Sequence, residues 1–175
     1  QDVPKDTTRK SPGAPIPKDP NLTLIRTKDI VSTPQRNSKG VKMEGNFVLK
    51  PGAQVAQIYV TPSKMNPTFD NEGDEDAISV LHNIEAMAPG DSLELNEFVQ
   101  NNISTNVIAI YGNCQNPIKK VYGTECAPLQ LKPSFKADND STEHTLTFEQ
   151  FQKTESLPGH YEGNLPDGMV TDVAD

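Results

Sequence analysis

The chain has 175 residues, one domain's length, and is hydrophilic: 34% of residues are apolar and 6% aromatic, with no tryptophan. Its 15 prolines and 11 glycines exclude long uninterrupted helices, and its net charge of −8 excludes nucleic-acid binding through a basic surface. No apolar run approaches the roughly 18 residues needed to span a bilayer as a helix, so no membrane segment is expected.

Residues 1–22, "QDVPKDTTRKSPGAPIPKDPNL", carry prolines at 4, 12, 15, 17 and 20. Proline fixes φ and removes a donor, so this segment reads as an extended, polyproline-like arm. A start at Gln1, without a cationic-plus-apolar leader, reads as a processed or trimmed N-terminus.

Short strands then follow one another. "NLTLIRTKDIV" (21–31) and "VKMEGNFVL" (41–49) are the first two, and "KPG" (50–52) is a turn. "AQVAQIYVT" (53–61) alternates at Val55, Gln57 and Tyr59. "DNEGDED" (70–76) sets five acids around a glycine. An EF-hand loop needs glycine at its sixth position and glutamate at its twelfth, and neither falls there, so the stretch reads as a solvated acidic loop. "AISVLHNIEAMA" (77–88) fits two patterns. Val80, Ile84 and Met87 suit a helix, whereas Ile78, Val80, His82 and Ile84 suit a strand.

The stretch "PGDSLELNEFVQNNI" predicts a helix, with Asp91 as N-cap and Glu94 three residues on. Leu95, Phe98 and Val99 form its packing face; Asn102 extends it, and Ile103 is placed to join. "NVIAIYG" (106–112) is a β-branched run buried on at least one side. "KKVYG", "PLQLKPSFKAD" and "EHTLTFEQF" complete the strands, with Leu146, Phe148 and Gln150 on one face of the last. A turn signal every ten residues or so argues for a mainly β fold: a β-sandwich or barrel of two antiparallel sheets, one short flanking α-helix, and extended terminal arms. The expected organisation is an arm at 1–22, a domain at 23–155 and a C-terminal tail at 156–175, where two prolines and three glycines recur.

Cys114 and Cys126 flank the "QNPI" turn. Structural zinc wants four closely spaced ligands, which the scattered His82, His144 and His160 do not offer. The pair therefore reads either as half-buried small hydrophobes or as a cross-strand disulfide. Asp138, Ser141 and His144 are close in sequence but lie in a turn, without a nucleophile elbow. No phosphate loop or dinucleotide fingerprint is present, so neither an active site nor a cofactor is expected.

"IAIYGNC…KKVYGTECAPLQLKPSFKADNDSTEHTLTFEQ" resembles the tail tube proteins of tailed bacteriophages, particularly those of Bacteroidetes-type hosts. The matching positions are Cys114, Gly123, Thr124, Pro128, Leu129, Thr145, Thr147 and Phe148, within a layout covering roughly residues 24–152. The resemblance implies a virion structural protein, assembled in the host cytoplasm. Its subunits would close into rings, commonly hexameric, that stack into a conduit for DNA. The partners it implies are further copies of the chain and other virion tail proteins, with neither sequence-specific nucleic-acid binding nor a membrane. Net acidity suits a lumen from which DNA must not stick. Pro12, Pro15 and Pro17 in the arm, Phe69 in the 62–76 loop and Tyr161 in the tail are the candidate intersubunit contacts. The competing readings are a secreted or capsid-decorating β-sandwich binding module and, on its scattered acids alone, a hydrolase.

Overall fold

A computed structural model describes residues 1–53, 55–114 and 118–165. The β-branched run of the sequence, Val107–Tyr111, is buried on both faces: Val107 and Ala109 face one apolar core, Ile108 and Ile110 another. A strand with no polar face belongs at the centre of a sheet, and the fold is organised around it.

In chain order the strands are β1 (Asn21–Arg26), β2 (Ile30–Ser32), β3 (Gln35–Arg36), β4 (Lys42–Glu44), β5 (Val48–Leu49) and β6 (Val55–Tyr59). Then come β7 (Asn66–Glu72), β8 (Ser79–Pro89), the helix α1 (Leu93–Asn102), β9 (Val107–Tyr111) and β10 (Lys119–Tyr122). The chain closes with β11 (Leu129–Ala137), β12 (Thr142–Gln150) and β13 (Gly159–Tyr161).

β9 is flanked on one side by β1, with Thr23 opposite Ile110 and Arg26 opposite Val107. On the other side lies β10, with Val121 opposite Ile110. Gly123, at φ +85°, turns the chain away after Tyr122, and β11 takes over with Leu129 opposite Val107. From this branch one wing runs β11-β12-β8-β7 and the other β10-β13-β4-β3, while β6 lies outside β1. Among the described residues eleven strands thus join one sheet, and β2 and β5 form a separate pair. The mainly β, sandwich-like fold with one flanking helix is as expected from sequence. Its sheets divide differently, because the branch at β9 joins both wings and the β4–β13 pair is parallel.

The first core draws Leu24 from β1, Ile58 from β6, Ile84 from β8, Ala109 from β9, Leu131 from β11 and Phe148 from β12. A backbone hydrogen bond from Thr61 N–H to Met87 C=O brings the end of β6 to β8, and α1 lies across the gap between them. The helix begins one residue later than expected: Ser92, not Asp91, is the N-cap, its hydroxyl accepting from Leu95 N–H. Phe98, Val99 and Asn102 are buried and Leu95 half-buried, whereas Ile103 is exposed. The ambiguous stretch 77–88 is strand. β8 buries Val80, His82, Ile84, Ala86 and Ala88 in strict alternation, and Ile78 stays outside. β12 does the same with Leu146, Phe148 and Gln150.

Three strand expectations need correction. Residues 21–31 are not one strand, because the 3-10 turn Thr27–Asp29 divides them into β1 and β2. Residues 41–49 are not one strand, because Gly45 at φ +99° breaks the run into β4 and β5. In β6 the buried positions are Val55 and Ile58, with Tyr59 exposed and Val60 buried just beyond the strand's end. Val55 packs into the second core and Ile58 into the first, so both faces of this strand are covered and a single alternation fails.

The tail is corrected as well. β13 pairs antiparallel with β10 and parallel with β4, and Tyr161 sits in the second core with Met43, Phe47 and Val121. Residues 166–175 of the expected tail, and Gln115–Pro117 of the turn between β9 and β10, lie outside the described residues. The N-terminal arm is pinned at its root: Asp19 N–H donates to Gly112 C=O, and Cys114 N–H donates to Pro17 C=O.

Candidate functional site

The strand order leaves edges. β7 pairs with β8 and, among the described strands, with no other; β6 pairs with β1 alone. β7 is exposed along nearly its whole length, and Phe69 within it is 45% exposed. Pro67 fits such a place, since proline lacks the N–H that an inner strand would use. The hairpin beyond carries Asp74, Glu75 and Asp76, all exposed. Among the described residues no three His, Cys, Asp or Glu side chains converge as a metal ion would require. Glu72 is paired instead with Lys153 at 3.1 Å.

Beside β6 lies a groove of about 210 Å³, walled by Gln57–Tyr59, Ala88, Pro89 and the first turns of α1. Tyr59 and Leu93 stand exposed near it. Beneath the helix is a cavity of about 20 Å³, space for a single water, where Arg26 donates to Asn102 Oδ1 at 3.2 Å.

The expected contact residues divide. Phe69 lies on the open β7 edge. Pro15 and Pro17 are exposed on the arm and Pro12 is half-buried. The arm folds back on itself, Arg9 donating to Ala14 C=O at 2.8 Å and Pro15 C=O at 3.3 Å. Tyr161 is not a surface contact: it is fully buried, its ring edge-on to Phe47 at 5.3 Å.

Both readings of the cysteines are overturned. Cys114 and Cys126 are free and exposed, neither packed nor bonded. Cys114 lies beyond the end of β9, near Lys18 C=O, whereas Gly123 ends β10 and puts Cys126 in the 123–128 loop. β10 therefore separates the two thiols. We expect a thiol-specific chromogenic reagent to titrate two groups per chain without denaturant, with no change after prior reduction; one or no reactive group would contradict this.

Sequence reasoning did not pick out the buried polar centre. His82 has no exposed surface; its Nδ1 lies 2.9 Å from Gly123 N and its Nε2 2.8 Å from Ser156 O. Its own N–H donates to Gln150 Oε1, and Gln150 Nε2 donates to Ala127 C=O at 2.7 Å. Burial pushes the His82 imidazole's proton affinity down, Arg36's charge adds to this, and the Ser156 bond opposes it. Edge-on beside it at 5.6 Å is Tyr122, whose phenol burial keeps neutral. The only legible signal was the place of His82 in the β8 alternation.

The other histidines are also placed structurally. His144 faces Gly90 C=O and Asn96 Oδ1, and Asp138 caps its own turn by accepting from the Asp140 and Ser141 amides. These bonds do not form a nucleophilic triad. Lys120 Nζ lies 2.6 Å from His160 Nε2, and burial lowers the proton affinity of both. No described helix is long and apolar enough to cross a membrane. Comparison with family models, curated proteins and solved structures finds no match for this chain.

Proposed function

We propose that this protein is a self-assembling structural subunit: a tail tube subunit of a virion, joining copies of itself and other tail proteins around a conduit for DNA. The observation that carries this reading is a pair of strands with an unpaired edge at separate borders of one sheet: β7, exposed along its length, and β6, whose edge faces the groove that α1 partly covers. An unpaired edge exposes backbone donors and acceptors to a neighbouring strand. When two different edges of one chain meet, the contact is heterologous, and it propagates until a ring closes or a filament grows. β7 in particular is seven residues long; Pro67, Asp70 and Glu72 are its only edge-blunting residues, and between Pro67 and Asp70 the edge is uncharged around Phe69. The net charge of −8 supports a conduit that repels DNA.

Negative-stain electron microscopy over a concentration series, with mass measured in solution, tests the reading. Rings or striated tubes are expected from the unaltered chain. Phe69→Lys places a charge on the open edge and should abolish them, while leaving monomer stability within about 0.5 kcal/mol because the residue is partly exposed. Monomers at every concentration would sink the proposal and favour a binding module that awaits a partner.

A further inference from the structure

We propose that His82 is an acid-released latch, its ring tying the 123–128 loop and the 151–158 strap to β8 so that protonation frees both together. The inference rests on the interior of one chain and is independent of assembly.

An imidazole with one proton has one donor and one acceptor nitrogen. Here Ser156 C=O at Nε2 demands the donor and Gly123 N–H at Nδ1 demands the acceptor, so the tautomer is fixed. A second proton would set N–H against N–H across 2.9 Å. With the ring fully buried, no water replaces the lost bond.

The surrounding groups offer no relief. Arg36 from β3 repels an imidazolium, Tyr122 from β10 is neutral and hydrogen-bonded to Tyr111, and Gln150 from β12 is committed to the His82 amide. Protonation therefore needs the ring to leave its partners.

What the ring holds is limited in extent. The loop is otherwise tied by Gln150 to Ala127 C=O, by the Thr33 hydroxyl donating to the exposed Glu125 carboxylate, and by internal Thr124–Ala127 bonds. The strap is otherwise tied by Thr154, which exchanges backbone hydrogen bonds with Val80 at 2.7 and 2.9 Å, and by the solvent-exposed Lys153–Glu72 pair at 3.1 Å. Releasing the strap leaves the Val80 N–H and C=O without these partners and opens a strand edge at the start of β8.

The sign follows from linkage. The closed form has the lower proton affinity, so the latch is fully effective above the free-imidazole value of about 6.5 and weakens as pH falls below it. Each further pH unit multiplies the open-to-closed ratio about tenfold, until the closed form itself binds the proton.

The test is amide hydrogen exchange by NMR on the full chain from pH 7.5 to 5.0, corrected for intrinsic exchange, with the ring nitrogens of His82 followed in parallel. Protection at Gly123 and Thr154 should fall about tenfold per pH unit below about 6.5, while that at Ile108 and Ile110 holds. His82→Gln supplies a donor and an acceptor that do not titrate, so its protection should be independent of pH. Flat protection in the unaltered chain, loss in step with β9, or a ring that titrates at its ordinary value with both segments still protected would each overturn the latch. The ring measurement decides the question even if the Gln variant does not fold.

Discussion

Tyr161→Ala is expected to lower the free energy of unfolding by about 3–5 kcal/mol, the usual cost of truncating a buried aromatic residue. The ring is wholly inaccessible, packs edge-on against Phe47, and belongs to the core that covers Ile108 and Ile110 of the central strand. Its hydroxyl donates to Asn164 C=O at 2.5 Å, and Asn46 Oδ1 accepts from Asn164 N–H at 3.0 Å. Removing the ring opens a void under β9 and unpins the chain after β13. Tyr161→Phe keeps the packing and leaves one carbonyl short of a donor, for a loss of about 1 kcal/mol. Urea unfolding of the dilute protein at pH 7 distinguishes the two roles this residue has been given. A contact between subunits would leave the monomer's midpoint unchanged in both variants. A core residue gives a large shift for alanine and a small one for phenylalanine.

That contrast marks where sequence was a good guide. Alternation in β12 and the i, i+3, i+4 face of α1 were legible because each element has one buried side, and burial then repeats with the element's own period. β6 was misread for the opposite reason: it sits between two cores, so Val55 and Ile58 are both buried without sharing a face. The same duality hid β13. Three residues after a proline and before more glycine look like tail, and their strand character comes from β10 and β4 on either side. The cysteines were misplaced because Gly123, at positive φ, ends β10 before Cys126. His82 entered only in the strand alternative for 77–88 and as one of three scattered histidines. Its partners Gly123 and Ser156 lie 41 and 74 positions along the chain, and no local pattern connects them. Phe69 was expected in a loop at 62–76, where Asn66–Glu72 instead form β7. That it stands on an open edge follows only from the strand order.

Phe98→Ala is expected to cost about 3–5 kcal/mol and to change the shape of the molecule as well as its stability. Phe98 is 6% exposed and borders both the small cavity under α1 and the open groove beside β6. Its ring is part of the wall between a space with room for one water and a space open to solvent. Without it the two merge into a cleft running from Tyr59 to Phe148, lined mainly by apolar side chains. The helix cannot settle inward to fill the gap, because it is tied to the sheet near both ends. His144 of β12 lies 3.2 Å from Asn96 Oδ1 near its start, and Asn102 Oδ1 accepts from Arg26 of β1 at its end. A dye that fluoresces on apolar surface should therefore bind the folded variant and not the unaltered chain, at a urea concentration where both remain folded. Val99→Ala is the control: it removes less volume from the same face, away from both spaces, and should lower stability by a smaller amount without dye binding. Equal dye response from the two variants would mean that α1 loosens as a whole. In that case its attachment to the sheet rests on Val99 as much as on Phe98, and the gap between β6 and β8 is held closed by the helix's summed apolar face and not by one ring.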